Sequence, residues 1–372
     1  MAGGWTHTGF AQQLVFGPGA IKSLPGLLRA VGARRVLLVT TEGRLASEDG
    51  GRLVTTLGSV LASTFAEVSS HVPAPAVQAA LRQARRDGID GIVSFGGGSC
   101  ADLGKAVNFF TEQEQGAPGA SFADRPVLAH LAVPTTYSGA ELTPFFGMTD
   151  PATRQKQGAG GPTSAPIAAV YDPELTLSTP ARVSAETGMN ALAHCVEIVW
   201  SPSATPEAVA IGVAGAAQIH QALPRVIDAP DDLDARSAML EGAALAGRSL
   251  QNGSMGIHHG LAQLVGGRTG IPHGLANAVI LPHAIAYNAD AVPGALDRLA
   301  AAMGVDGGGA ALAEAVTALL VRLGLPVRLA DCGVVEEDLD AVARLSQQSG
   351  PVRANPKPVT ESDARAVLAA AY

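Results

Sequence analysis

Three consecutive glycines constrain this chain more than anything else in it. Gly96-Gly97-Gly98 follow the apolar run Gly91-Ile92-Val93-Ser94-Phe95, and Ser99 leads into a helix-like segment from Ala101 to Phe110. A strand that turns on glycine into a helix start presents backbone N–H groups that have no partner inside the helix, at the positive end of its dipole. A phosphate is held there, and glycine lets it come close because no Cβ stands in the way. The pattern is neither the Walker sequence nor G-x-G-x-x-G. Spacing therefore supports a phosphate or dinucleotide loop, and it also admits a tight turn that binds nothing.

The residues around this loop alternate between strand and helix signals. Strands are expected at Gln13–Phe16, Arg35–Thr40, Thr64–Val68, Gly91–Phe95 and Val127–Pro134, and helices at Ala20–Val31, Gly51–Ser63 and Pro75–Asp87. Such alternation implies a parallel sheet covered on both faces, with ligands beyond the carboxyl ends of the strands. After about Asp172 the strand signals fade. Ala/Leu-rich helical stretches follow at Pro206–Val226, Asp232–Ser249, Met255–Val265, Pro293–Ala302, Gly309–Leu323 and Glu336–Ser346. The organisation expected is an α/β domain over residues 1–160 and a helical domain over 161–372, hinged near Gly158–Pro166.

Composition narrows the partners. The chain has 372 residues and a formal net charge of −8, with no long basic run, so nucleic acid and anionic membranes are poor partners. The three cysteines, Cys100, Cys195 and Cys332, are scattered and build neither a disulfide framework nor a thiolate zinc site. Residues 1–5 lack the basic and apolar regions of a secretory signal, and no apolar run approaches a membrane span. A cytoplasmic setting, a small-molecule substrate and a homodimer are expected.

Polar residues cluster at two places in the pattern. Asn190 and His194 are four apart and share a helix face, while His258-His259 and His273 lie close together across a glycine-rich turn. Imidazole suits metal binding and proton transfer, though each histidine taken alone also fits a polar core position. Near the glycine loop, Thr135, Thr136 and Ser138 end a strand with hydroxyls that fit phosphate or a nicotinamide carboxamide, or a helix cap. A ribose-binding carboxylate is expected after the second strand, and Thr41 stands there, followed by Glu42 and Arg44. Arg44 reads as a solvated loop residue.

These pieces, in this order, resemble the iron-containing alcohol dehydrogenase family and, within it, the maleylacetate reductases. The resemblance rests on Phe16-Gly17-Pro18-Gly19, on Gly96-Gly97-Gly98-Ser99 with Asp102 and Lys105, and on Pro134 to Gly139. It continues through Tyr171 to Thr176, Gly188 to His194, Leu281 to Asn288 and Asn355-Pro356-Lys357-Pro358. It implies a Rossmann-like domain followed by a helical domain, the architecture also found in dehydroquinate synthase. It implies NADH or NADPH held by Gly96, Gly97, Gly98, Ser99, Asp102, Thr135, Thr136, Ser138, Thr41 and Lys156. It also places the chemistry on Asn190, His194, His259 and His273. In metal-dependent relatives an aspartate and three histidines hold iron or zinc. Here Asn190 takes the aspartate's place beside His194, His259 and His273, so a divalent ion loses its anionic ligand and its affinity is expected to fall.

Three positions depart from the reductase pattern. Gly260 stands where a lysine is usual, Gln263 where a further histidine is usual, and Asn277 ends a sequence more like the broader family. Candidate cations for a carboxylate substrate are Arg154, Lys156, Arg268 and Lys357. The reaction implied is reduction of maleylacetate to 3-oxoadipate, a step of aromatic-compound degradation. An aldehyde or ketone reductase of a specialised biosynthetic pathway and a nucleotide-binding member without redox activity are the alternatives. Because Thr41 is neutral, NADPH is expected to serve at least as well as NADH.

Overall fold

A computed structural model describes residues 5–116, 126–150 and 155–372, with the side chains of 155–157 left undescribed. It divides into two compact units, one formed by Gly9–Thr179 and the other by Met1–Thr8 with Pro180–Tyr372. The division falls later than the expected 160/161 boundary, and its reason lies in the sheet. The last strand of the first unit is Ala168–Tyr171, so the Gly158–Pro166 segment lies inside that unit and is no hinge.

The first unit holds a six-stranded parallel sheet. Its strands are β1 (Gln13–Phe16), β2 (Val36–Val39), β3 (Leu61–Phe65), β4 (Gly91–Gly96), β5 (Ala129–Pro134) and, after a hairpin of β6 (Phe145–Asp150) and β7 (Gln155–Gly160), β8 (Ala168–Tyr171). The order across the sheet is β1-β8-β5-β4-β2-β3. Helices α1 (Leu24–Ala30), α2 (Glu42–Leu45), α3 (Glu48–Leu57), α4 (Ala74–Arg86) and α5 (Gly98–Glu114) connect them. Side chains alternate between the faces as the strand period demands. Leu37, Val39 and Ile92 pack with Val77, Leu81, Leu103 and Val107 on one side, while Val36, Leu38 and Val93 pack with Leu24, Leu28 and Leu53 on the other.

Two sequence expectations shift here. The third strand is Leu61–Phe65, because α3 stops at Leu57 and a 3-10 turn at Gly58–Val60 takes up the rest of the expected helix. Gly58 adopts φ +54°, which ends the helix. The β6–β7 hairpin was not expected at all.

The motifs at the two ends of this unit meet through one carboxylate. Asp172, fully buried, accepts hydrogen bonds from the backbone N–H groups of Gly19 and Ile21, both at 3.1 Å, and of Glu174 at 3.2 Å. It thus caps the turn after β1 and the turn after β8 together, at the strands' carboxyl ends. That explains why Phe16-Gly17-Pro18-Gly19 and Tyr171-Asp172-Pro173 belong to one pattern.

The second unit is helical among the described residues. It comprises α6 (Ala181–Trp200), α7 (Pro206–Asp228), α8 (Leu233–Ser249), α9 (Ile257–Thr269), α10 (His273–Asn288), α11 (Pro293–Met303), α12 (Leu312–Arg322), α13 (Glu336–Ser346), α14 (Gly350–Arg353) and α15 (Glu361–Ala371). Residues 189–200 of α6 are buried all round, so this helix is the axis of the unit. Glycines set its closest contacts. A Cβ on Gly188 would lie 2.6 Å from Leu223 of α7, and one on Gly215 would lie 2.7 Å from the Cys195 sulfur. No single helix among the described residues is long and apolar enough to cross a membrane.

Replacing Asp172 with alanine strands backbone donors at both turns. Asp172→Ala is expected to lower stability against urea by about 3 kcal/mol, the scale of lost hydrogen bonds to a charged acceptor. A loss below about 1 kcal/mol would show that the turns hold without it.

Candidate active site

The glycine loop sits where the sheet brings two strand ends together. Gly96 pairs with Pro134, and the Thr135 N–H donates to the Gly96 carbonyl at 2.9 Å. Residues 97–98 and 135–138 therefore leave the sheet side by side. β3 and β4 flank β2, the point at which the strand order reverses and open α/β sheets bind ligands.

Each glycine has a steric reason. Gly96 has φ +141°, and a Cβ there would lie 2.6 Å from the Cys100 sulfur. A Cβ on Gly97 would meet Thr136 at 3.3 Å, and one on Gly98 would meet the Ser138 hydroxyl at 3.0 Å. The start of α5 carries no side-chain cap and no acid in its first turn. The hydroxyls of Thr135 and Thr136 are buried without a hydrogen-bond partner among the described residues. Bare helix-start amides beside unsatisfied hydroxyls suit a phosphate, so the residues present fit a nucleotide pyrophosphate.

Lys105 shapes the far side of this cradle. Its buried ammonium donates to the carbonyls of Ala140 at 2.8 Å and Phe145 at 2.5 Å and to the Thr143 hydroxyl at 3.1 Å. Asp102 pairs with it at 2.7 Å and also accepts from the Gly147 N–H. Asp102 was expected to contact the cofactor. Its carboxylate also helps hold the 140–147 loop.

The loop after β2 also departs from expectation. Thr41 caps α2, its hydroxyl accepting from the Arg44 N–H at 3.2 Å. Arg44 is no solvated residue: its guanidinium donates to the hydroxyls of Ser178 at 2.7 Å and Thr179 at 2.6 Å. Burial lowers its pKa from the ordinary arginine value. Ser99 lies partly exposed in the first turn of α5. The side chains of Arg154 and Lys156 lie outside the described residues.

The polar centre of the helical unit is built from three helices. Asn190, His194 and Glu197 lie along one face of α6, His258 and His259 open α9, and His273 and Asn277 open α10. The His194 and His259 rings stack with centroids 4.7 Å apart, and His273 lies 5.9 Å from His259. The expected histidines are thus together. Asn190 joins them through its side-chain oxygen, which accepts from the Asn277 amide at 2.8 Å, and that amide also donates to the His273 carbonyl at 3.0 Å. Burial, reinforced by His259, holds His194 well below the usual histidine range, so its ring is neutral near neutral pH.

Glu197 is the residue the sequence reading passed over. It is fully buried, with Oε1 accepting from the Gly256 N–H at 2.8 Å and Oε2 lying 2.5 Å from His259 Nδ1. Burial alone would raise its pKa, but hydrogen bonds to His258 and His259 outweigh that and hold it below the usual carboxylate range. The signal was there: a lone acid in the apolar run Cys195-Val196-Glu197-Ile198-Val199-Trp200, on the face of His194.

Of the candidate cations, the two whose side chains are described are engaged elsewhere. Arg268 pairs with Asp338 at 2.6 Å, and Lys357 pairs with Asp290 at 2.7 Å while lying 4.2 Å from the Tyr287 ring centroid. At Gly260, where a lysine is usual, a Cβ would lie 2.4 Å from Val352. The start of α14 therefore fills the space such a side chain needs. Gln263 lies half-buried one turn beyond His259.

Comparison with known proteins agrees with this architecture along the whole chain. Residues 11–173 match the iron-containing alcohol dehydrogenase family, and 184–372 match the C-terminal part of the Fe-containing alcohol dehydrogenase family. A maleylacetate reductase of Burkholderia cepacia is 36% identical over 360 residues, 97% of this chain and 95% of that protein. The crystal structure of maleylacetate reductase from Rhizobium sp. strain MTP-10005 superposes with a TM-score of 0.86 at 34% identity, covering 99% of this chain and 98% of that one. Sulfoacetaldehyde reductase from Bifidobacterium kashiwanohense, solved in complex with NAD+, gives a TM-score of 0.88 at 25% identity, covering 99% of this chain and 98% of that one. The chain belongs to the iron-containing alcohol dehydrogenase family and is an NAD(P)-dependent oxidoreductase.

Proposed function

We propose that this protein reduces the conjugated carbon–carbon double bond of maleylacetate, giving 3-oxoadipate, with NADH or NADPH as reductant. The observation that carries the reading is the similarity to maleylacetate reductases over nearly the full length of both chains. With it go a carboxylate-bearing small substrate, a cytoplasmic setting and a homodimer.

Gly97, Gly98 and Ser99 would hold the pyrophosphate of the nucleotide, which when bound would supply a hydride. Thr135, Thr136 and Ser138 are the hydroxyls available to orient it. Hydride arriving at the alkene carbon β to the ketone pushes the double-bond electrons toward the ketone oxygen. That growing charge needs fixed donors, and the carbon next to the ketone needs a proton. His194, His259 and His273 are the groups for both tasks, with Asn190 beside them.

We further propose that the reaction uses no tightly held metal. The three imidazoles are neutral ligands, and the Asn190 oxygen already accepts a hydrogen bond from Asn277. Among the described residues, one acidic and imidazole group has ligand atoms within 4.8 Å of one another, namely Glu197, His258 and His259. Its atoms are bonded to each other and to backbone N–H groups. Those atoms are engaged with one another, and the cluster of Asn190, His194, His259 and His273 carries no anionic donor for a divalent cation.

One observation favours a second reading. With Gly260 hemmed in by Val352, and Arg268 and Lys357 paired, the helical unit offers a dicarboxylate little charge. A less charged aldehyde or ketone would need none. Following NAD(P)H absorbance with maleylacetate and with a panel of aldehydes separates the two. Maleylacetate is expected to give the largest kcat/KM, with NADPH at least as good as NADH. An aldehyde preferred by more than about tenfold, roughly 1.4 kcal/mol, would overturn the first reading.

Two further outcomes follow from the residues. Gly98→Val is expected to raise the NADPH dissociation constant about tenfold or more by crowding the phosphate. An unchanged constant in fluorescence titration would place the nucleotide elsewhere. Protein purified without chelator is expected to contain far less than stoichiometric iron or zinc and to keep its activity in EDTA. Near-stoichiometric metal, with activity lost on chelation, would make His194, His259 and His273 its ligands.

A further inference from the structure

The hydrogen bonds around His259 decide where its proton sits. His258 Nε2 lies 2.8 Å from the Asn277 carbonyl oxygen, and a carbonyl only accepts, so that nitrogen carries the hydrogen. His258 Nδ1 stands 3.1 Å from His259 Nδ1 and 3.4 Å from Glu197 Oε2. A closer neighbour of His259 Nδ1 is the Glu197 carboxylate at 2.5 Å, and an ionised carboxylate only accepts. His259 Nδ1 must therefore be the donor in that contact.

We infer that Glu197 is a positioning residue for the reduction, holding His259 in the Nδ1–H form, with Nε2 as its basic nitrogen. The inference rests on the proposed role of the histidine cluster. It adds the residue that orients one member of that cluster, from behind and without touching substrate.

The carboxylate is itself fixed, which is what a positioning group requires. Gly256 N–H holds Oε1 at 2.8 Å, and the His259 N–H holds Oε2 at 3.2 Å. Both donors belong to the start of α9, so one carboxylate caps the helix and orients the ring that the helix carries. Asn355 completes the cap, its oxygen accepting from the Ile257 N–H at 3.1 Å. A Cβ on Gly256 would lie 2.7 Å from that oxygen and 3.1 Å from Glu197 Oε1, so only glycine leaves room for both acceptors. A purely structural cap would need the two backbone contacts. The contact to the imidazole edge is additional, and histidines are fixed in ring orientation and tautomer by such carboxylates in many active sites.

The test uses the full-length protein labelled with 15N-histidine, with His259→Asn to assign the signal. Long-range 1H–15N spectra are expected to show a protonated, pyrrole-type Nδ1 for His259. With the best substrate of the panel, Glu197→Gln is expected to lower kcat about thirtyfold or more while KM values change less than about threefold. Glu197→Asp, which keeps a carboxylate, is expected to recover about tenfold of that loss. A pyridine-type Nδ1 in the unaltered protein overturns the inference, as does a folded Glu197→Gln with kcat within about threefold of the parent. If Glu197→Gln fails to fold, the parent spectrum and the Glu197→Asp kcat decide. The spectrum does not depend on the substrate, so failure of the maleylacetate reading is seen separately.

Discussion

A charge buried at Glu197 has to be answered from every side, and the helical unit is arranged so that it is. An unpartnered carboxylate in such a place would be neutralised or would unfold its surroundings. Here two backbone N–H groups and an imidazole edge surround it, and all of them belong to the first turn of α9. The register between α6 and α9 follows. Once Glu197 meets Gly256 and His259, His194 on the same face of α6 is brought against the His259 ring. The link from Asn190 to Asn277 does the same for α10, and Asn277 in turn accepts from His258 through its carbonyl. Three helices are thus tied by polar contacts in a setting otherwise lined by apolar side chains.

The α/β unit solves a different problem with the opposite means. A nucleotide site needs polar groups left unsatisfied until the ligand arrives, and the glycine loop, where we propose the pyrophosphate binds, has them by omission. No side chain caps α5, no Cβ covers the turn, and two buried hydroxyls stand without partners among the described residues. The rigid parts lie around it: Lys105 with Asp102 beneath the 140–147 loop, and Asp172 across the turns after β1 and β8. Unsatisfied groups are tolerable in the middle because the charged groups of the frame, Lys105, Asp102 and Asp172, are paired and hydrogen-bonded.

Much of this was legible in the sequence, and the parts that were not have physical reasons. The parallel sheet could be read because Val36 to Val39 and Gly91 to Phe95 are continuous apolar runs, the mark of strands buried on both faces. The glycine loop announced itself by composition. The β6–β7 hairpin did not, since Phe145 to Asp150 lacks clear alternation and its partner strand is rich in glycine and glutamine. The unit boundary at Thr179/Pro180 was hidden because β8 returns to the sheet only after that hairpin. His194, His259 and His273 were visible as types at spacings. Their supports were not: Glu197 looked like one acid in an apolar run, and Asn355 lies far along the chain from the helix it caps. Asp102 was read as a ligand contact, and its ion pair to Lys105 and its hold on the Gly147 N–H were not foreseen.

The central claim is that hydride goes to a carbon–carbon double bond while the histidine cluster manages the charge and the proton. Isotope tracing tests it most directly. NADPH carrying deuterium at the transferred position of the nicotinamide C4 is supplied with maleylacetate, and the product is examined by NMR. The account predicts one deuterium per product at the former alkene carbon β to the ketone, with the neighbouring carbon protonated from solvent and the ketone intact. Deuterium on a carbinol carbon, with the double bond retained, would contradict it and make the protein a carbonyl reductase.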